Sequence, residues 1–212
     1  MKISKLSAFA ALAVISTATV ASASTMYFTS GIREAGFAGG EFISNLSNGA
    51  TYRSFCLELD EVLVLGNQGA NNYLYEITTD GAVEGGISGG NPDPVSSASA
   101  SIFVAWLNGS IVNNVDNAVD VQNAIWALEG EINPASLSGF ALTLYDDALL
   151  AFPDLDDNAA LRPDGLFGNI RVLNPYRIID GQRVDYQSQI ILIPLPTASG
   201  LALAGLALVG GI

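Results

Sequence analysis

Cys56 is the residue with the clearest capacity for covalent chemistry, because it is the only cysteine among 212 residues. The chain has no histidine, which excludes Ser-His-Asp and Cys-His nucleophile systems and zinc sites built from His or Cys. A single cysteine also excludes a disulfide within the chain. Cys56 is therefore either a small buried hydrophobe or a thiol that reacts without an imidazole.

Gln122 is the second unusual residue, an amide in the middle of an apolar helix face. The helical repeat places Ala118 and Val119 one turn before it, and Ile125 and Trp126 one turn after it. A buried amide without a hydrogen-bond partner costs a few kcal/mol. Gln122 is therefore either paired inside the core or present for reaction.

A thiol and a carboxamide can combine without a cofactor or a metal. The sulfur attacks the amide carbon, ammonia leaves, and an internal thioester between Cys56 and Gln122 remains. Such a bond needs a dry, preorganised pocket, because water would hydrolyse it. Phe55, Trp106 and Trp126 are the aromatic residues that we expect to shield it.

The elements that must position these residues follow a strand–helix–strand order. Alternating apolar residues predict strands around an Asn48-Gly49 turn and over 73–78. Helical spacing from Val95 to Trp106 predicts a first helix. The order predicts an α+β domain, a β-sandwich or barrel with an inserted helical subdomain.

The later elements are predicted from shorter signals. Asp116 is expected to cap a second helix that ends near Glu129, and 146–150 is expected to form a short third helix. An Asp180-Gly181 turn then leads into a predicted hairpin strand over 183–193.

Two short motifs resemble those of the thioester domains of bacterial surface adhesins. Phe55-Cys56-Leu57-Glu58 is similar to the Cys motif of that family, and Val121-Gln122-Asn123-Ala124-Ile125-Trp126 is similar to its Gln motif. The resemblance implies a β-sandwich with a helical insert and a bond between Cys56 and Gln122. It also implies covalent adhesion rather than enzyme catalysis: a target amine or hydroxyl, on a surface protein or polysaccharide, attacks the Gln122 carbonyl. With a lysine amine, an isopeptide bond results.

Both ends of the chain are typical of export signals. A short basic stretch, an apolar run and Ala21-Ser22-Ala23 predict a signal peptide over 1–23. Residues 190–212 carry no charge and predict a transmembrane segment. Their Ile193-Pro194-Leu195-Pro196-Thr197 resembles the V-P-L-P-A variant of PEP-CTERM sorting signals, which implies an exosortase-like partner and a bacterial cell surface. The thioester-like domain is then expected over 24–189.

The charge distribution agrees with an exported electrophile. The formal net charge of −13 argues against nucleic-acid binding, because little is present to neutralise phosphates. Lys2 and Lys5 are the only lysines, and removal of 1–23 leaves a chain without lysine. Such a chain offers no side-chain amine that could react with its own thioester.

Three other interpretations stay open at this point. In the first, Cys56 and Gln122 are ordinary core residues of a structural surface or biofilm-matrix protein. In the second, Glu129 and Glu131 form a glycosidase pair. In the third, Asp154-Leu155-Asp156-Asp157-Asn158 begins a calcium loop, although Ala159 replaces the glycine that such loops need.

Overall fold

The computed structural model describes residues 24–36, 39–70, 72–87 and 89–194. The predicted signal peptide and the segment 195–212 lie outside the described residues. The strands are β1 (Thr25–Ser30), β2 (Phe42–Leu46), β3 (Thr51–Cys56), β4 (Tyr73–Thr78), β5 (Ile170–Ile179), β6 (Gln182–Asp185) and β7 (Gln189–Leu192). The helices are α1 (Ser97–Leu107), α2 (Val115–Leu128) and α3 (Gly139–Ala151).

Six of these strands close into an antiparallel barrel. Their order is β4-β1-β2-β3-β7-β5, and β5 pairs back with β4 to complete the ring. The short strand β6 extends β5 as a hairpin. The three helices lie between β4 and β5 along the chain. This confirms the α+β class and the barrel form of the prediction.

The barrel strands divide their side chains between two apolar clusters, because successive residues of a strand face opposite sides. Phe55, Val172 and Ile190 pack with the helices in what we call the helix cluster. Cys56 and Ile191 belong to a second group, the barrel cluster. Its buried members are Met26, Phe28, Phe42, Leu46, Cys56, Tyr73, Trp126, Leu173 and Ile191.

Helix α2 is positioned by a cap that differs from the predicted one. The side chain of Asn114 accepts a hydrogen bond from the Asn117 backbone N–H, and the helix begins at Val115. Asp116 therefore lies inside the first turn and does not cap the helix, which corrects the prediction. The predicted end is confirmed, since Glu129 is the C-terminal cap residue. Asn114 can cap the helix because its extended backbone directs the short side chain toward the free N–H groups of the first turn.

Helix α3 is longer than the predicted 146–150 segment and runs for 13 residues. Its buried residues are only Ala141 and Ala148, whereas Phe140 and Leu142 are exposed. Leu144 and Tyr145 lie one turn after Ala141 and pack, partly buried, against the helix cluster. The stripe thus runs at helical spacing from Ala141 to Ala148, and the prediction missed its first half.

The predicted strand over 183–193 is divided in the structure. β6 ends at Asp185, and β7 starts at Gln189 and pairs with β3 as well as with the start of β5. The domain boundary expected at residue 190 thus falls inside β7, where Ile190 and Ile191 are completely buried. Among the described residues, no helix has both the length and the apolar character needed to cross a membrane.

Candidate functional site

The structure brings Cys56 and Gln122 into direct contact, although 66 positions separate them in the chain. Cys56 is the last residue of β3, and Gln122 lies on the buried face of α2. The Gln122 Nε2 group donates to the Cys56 carbonyl oxygen at 2.8 Å. Both side chains are completely buried. The end of a barrel strand and the middle of a helix therefore meet at these two residues.

Two backbone N–H groups converge on the carbonyl oxygen of the Gln122 side chain. The N–H of Cys56 donates to Oε1 at 3.1 Å, and the N–H of Gly40 donates to it at 3.3 Å. Backbone N–H groups only donate, so these bonds fix which end of the amide is oxygen. Both donors draw electron density from the carbonyl and leave its carbon more open to attack by a nucleophile.

Gly39 allows the backbone before β2 to lie directly against the Gln122 side chain. A Cβ atom at residue 39 would lie 2.3 Å from Gln122 Cγ and 2.7 Å from Trp126 Cη2. Real Cβ contacts are not this short, so any larger residue would displace the amide. The close approach needs glycine at this position.

The thiol of Cys56 has its own polar neighbour, Gln189 in β7. The Nε2 group of Gln189 donates to Sγ at 3.2 Å and to the Gln187 carbonyl at 3.3 Å. The Oε1 atom of Gln189 accepts a hydrogen bond from the Ser54 hydroxyl at 3.2 Å. Each of these side chains is buried within the barrel.

The thiol is held in its neutral form. Burial raises the pKa of Cys56 far above its usual range, because a thiolate loses its hydration there. The hydrogen bond from Gln189 acts in the opposite direction and lowers the pKa, but less strongly. Sγ is therefore a protonated sulfur in apolar surroundings, protected from solvent oxidants.

The three predicted shielding residues divide between the two clusters. Trp126 is in the barrel cluster with Cys56, and its Nε1 group donates to the Glu58 carbonyl at 3.2 Å. Phe55 and Trp106 lie in the helix cluster, with ring centroids 5.5 Å apart in an edge-on arrangement. Of the three, only Trp126 shares the cluster that contains the sulfur.

The chain is similar to a solved structure, the N-terminal thioester domain of fibronectin-binding protein SfbI from Streptococcus pyogenes. The match covers 82% of this chain and 94% of that chain, with 15% sequence identity and a TM-score of 0.44. No protein-family model and no curated protein matches the chain. At this identity and TM-score the likeness carries no weight for the site, so a functional proposal must rest on the contacts of Cys56 and Gln122.

Three residues of the site were missed by sequence reasoning: Gly39, Gly40 and Gln189. The Gly39-Gly40 pair was a usable signal, since paired glycines often mark a close backbone approach. Glu58, the last residue of the Cys motif, is buried; its Oε2 accepts from the Ser188 N–H at 2.7 Å. Burial and the nearby Glu61 raise the pKa of Glu58 well above its usual value.

Glu129 and Glu131, considered as a glycosidase pair, accept hydrogen bonds from different parts of the chain. Glu131 accepts hydrogen bonds from the N–H groups of Leu59 and Ile87, each at 2.8 Å. Glu129 accepts from the Ser96 hydroxyl at 2.9 Å, at the start of α1. Burial raises the pKa of Glu129 to about 7. In these contacts the two carboxylates anchor loops and a helix start.

In the segment considered as a calcium loop, Asp157 and Asn158 bond to other parts of the chain. Asp157 accepts from the Ser97 N–H at 2.6 Å and pairs with Arg162 at 3.2 Å. Asn158 donates to the Thr79 carbonyl at 2.8 Å. In the part of the chain that the structure describes, no group of three or more His, Cys, Asp or Glu side chains is arranged to hold a metal ion.

Proposed function

We propose that Cys56 and Gln122 form an internal thioester, and that the exported domain uses it to attach covalently to nucleophiles on a target surface. The observation that carries this proposal is the setting of the Gln122 carbonyl. Its oxygen accepts from the N–H groups of Cys56 and Gly40, while the reacting thiol belongs to Cys56 itself. Nucleophile and polarised electrophile are thus neighbours in a buried site.

Bond formation is balanced without an oxidant or a cofactor. Sγ of Cys56 bonds to Cδ of Gln122, and negative charge develops on Oε1, where the two N–H donors stabilise it. The C–N bond then breaks. The thiol proton leaves with the amide nitrogen, so that one ammonia is released for each thioester formed.

Attachment to a target reverses the roles of sulfur and nitrogen. A target amine adds to Cδ of Gln122, the C–S bond breaks, and the proton lost by the amine returns to Sγ of Cys56. The product is a secondary amide between Gln122 and the target, with a free thiol. A target hydroxyl would give an ester by the same route. The absence of lysine after residue 5 prevents self-reaction through side-chain amines.

The sequence of the two ends supports a surface location for this reaction. A signal peptide over 1–23 would export the domain, and a sorting signal recognised by an exosortase-like enzyme would anchor it through its apolar tail before processing. A covalent adhesive is useful only where it meets foreign amines or hydroxyls, which is the cell surface.

One observation favours a second function, that of a non-reactive structural surface or matrix protein. Gln122 bonds to both the N–H and the carbonyl of Cys56, at 3.1 and 2.8 Å. An amide satisfied in this way joins α2 to β3 whether or not a covalent bond forms. The two functions differ in one measurable property, the presence of the bond.

The intact mass of the purified domain separates them. The thioester predicts a mass about 17 Da below the sequence mass and a thiol that does not react with alkylating reagents. Methylamine should release the thiol and leave the protein about 14 Da above the sequence mass, with the methylamide on Gln122. A sequence mass with an alkylatable thiol would favour the structural function.

The control is Cys56→Ala, because ammonia can also be lost at Asn-Gly pairs. Asn48-Gly49 and Asn108-Gly109 can form succinimides, which lower the mass equally but do not involve sulfur. Cys56→Ala and Gln122→Ala should both have the full sequence mass. If either variant kept the mass loss, the assignment of the bond to these two residues would be wrong.

A further inference from the structure

Gln189 places a second carboxamide against the reacting sulfur. Its Nε2 group is 3.2 Å from Sγ of Cys56, and Gln189 is completely buried. It belongs to β7 and lies 133 positions after the cysteine in the chain. Neither the Cys motif nor the Gln motif includes it.

The neighbours of Gln189 determine that an N–H, and not an oxygen, faces the sulfur. The Gln187 carbonyl only accepts hydrogen bonds, and it lies 3.3 Å from the same nitrogen that contacts Sγ. On the other side, the Ser54 hydroxyl bonds to Oε1 of Gln189, although a hydroxyl could bond to either end of the amide. Reversal of the amide would set two oxygens against each other at residue 187. The contact with the Gln187 carbonyl therefore holds the donor toward the sulfur.

A hydrogen bond to sulfur strengthens as the sulfur becomes negative. A thioester sulfur and a neutral thiol are weak acceptors, whereas sulfur carries charge while the C–S bond is forming or breaking. The Gln189 N–H would then stabilise both transition states more than either end state. Burial makes such a donor important, because Cys56 and Gln189 are both shielded from bulk solvent, which would otherwise stabilise the charge.

We propose that Gln189 is a catalytic residue of the Cys56–Gln122 thioester, with its Nε2 N–H stabilising the developing thiolate both when the bond forms and when a target amine breaks it. This inference rests on the proposed function. It adds a sulfur-side donor to the carbonyl-side donors of Cys56 and Gly40. The negative charge that develops on Oε1 of Gln122 and the charge that develops on Sγ of Cys56 then each have an N–H donor.

The test compares Gln189→Met with Asn174→Leu in the full chain. Methionine and leucine keep the approximate size of the amides that they replace and remove the donors, and both positions are buried. The Asn174 amide donates to the Gly81 carbonyl at 3.0 Å rather than to sulfur, so this variant controls for the loss of a buried amide. Rates of ammonia release and of reaction with methylamine are followed by intact mass, alongside thermal unfolding of each variant.

We expect Gln189→Met to slow both reactions by about 10–100-fold, and Asn174→Leu to change them by less than about threefold. The thiol released by methylamine should also ionise at higher pH in Gln189→Met, as read from the pH dependence of its alkylation. Equal rates and equal pH profiles in the two variants would overturn the proposal. If Gln189→Met does not fold, Gln189→Leu, which also removes the donor, decides in its place: rates equal to those of the wild type there would overturn the proposal.

Two further results separate this inference from the function on which it rests. A wild-type chain that shows no mass loss contradicts the thioester itself, whatever residue 189 does. A wild-type chain that shows the loss but carries the methylamide on Gln189 makes Gln189 the acyl donor, and the proposed catalytic role is then wrong.

Discussion

Phe55 and Cys56 are adjacent in β3 but face regions of different chemistry. Phe55 enters the helix cluster, where its ring meets those of Phe103 and Trp106 at centroid distances of 6.3 and 5.5 Å. Cys56 faces the barrel cluster, where the Gln122 side chain meets its backbone and the Gln189 side chain meets its sulfur. Apolar packing accounts for the first region. The second also buries two carboxamides, which packing alone does not require.

The buried side chains of the two regions contribute differently to the domain. Burial of large aromatic side chains stabilises the fold by about 1.5–3 kcal/mol each, which suits the helix cluster. Buried amides contribute little net stability even when they are hydrogen-bonded, since they bond equally well to water in the unfolded chain. Their presence beside the sulfur is better explained by chemistry. Substitutions in the two regions should therefore affect different measurements.

The largest loss of stability is expected from Phe103→Ala in the helix cluster. Phe103 is completely buried, and its removal leaves a cavity, so the free energy of unfolding should fall by about 3–5 kcal/mol. Chemical denaturation measures this. The folded fraction should keep the mass loss of the wild type. A folded variant without the mass loss would show that the helix cluster takes part in the chemistry.

A different outcome is expected from Gly39→Ala beside the barrel cluster. The added methyl group overlaps Gln122 and Trp126, which displaces the amide from the sulfur. Overpacking of this kind lowers the free energy of unfolding by about 1–3 kcal/mol. The displaced amide also loses its alignment with the sulfur, so thioester formation should slow by roughly 10–100-fold. Intact mass against time measures the rate. The matched control is Gly168→Ala, whose new Cβ would have its nearest neighbour at 3.3 Å, a contact that small shifts relieve.

The smallest expected effect is a pH dependence of stability that involves Glu129. Burial raises the pKa of Glu129 to about 7, whereas an unfolded glutamate titrates near about 4.3. Between these values the folded chain binds the extra proton, so its stability is greatest at low pH and falls as pH rises, by about 1–3 kcal/mol. Glu129→Gln should make this profile shallower, and the remaining slope comes from Glu58 and Glu61, whose pKa values are also raised by burial. A wild-type stability that rises across the same window would contradict the shift.

The strands and the Cys56–Gln122 pair could be predicted because their signals are local. Alternation and turn residues marked the strands around Asn48-Gly49, and the two motifs marked Cys56 and Gln122. The donor at Gln189 could not be found in this way, since it reaches the site through the pairing of β7 with β3. The early turns of α3 were missed for another reason: their stripe starts with Ala141, a weak apolar signal, although Leu144 and Tyr145 follow it at helical spacing.

A crystal structure of the freshly purified domain tests the central claim most directly. The account predicts continuous electron density from Sγ of Cys56 to Cδ of Gln122, with Oε1 still between the N–H groups of Cys56 and Gly40, and with no density for the amide nitrogen. Separate thiol and carboxamide groups at van der Waals distance, with the nitrogen in place and bonded to the Cys56 carbonyl, would contradict it.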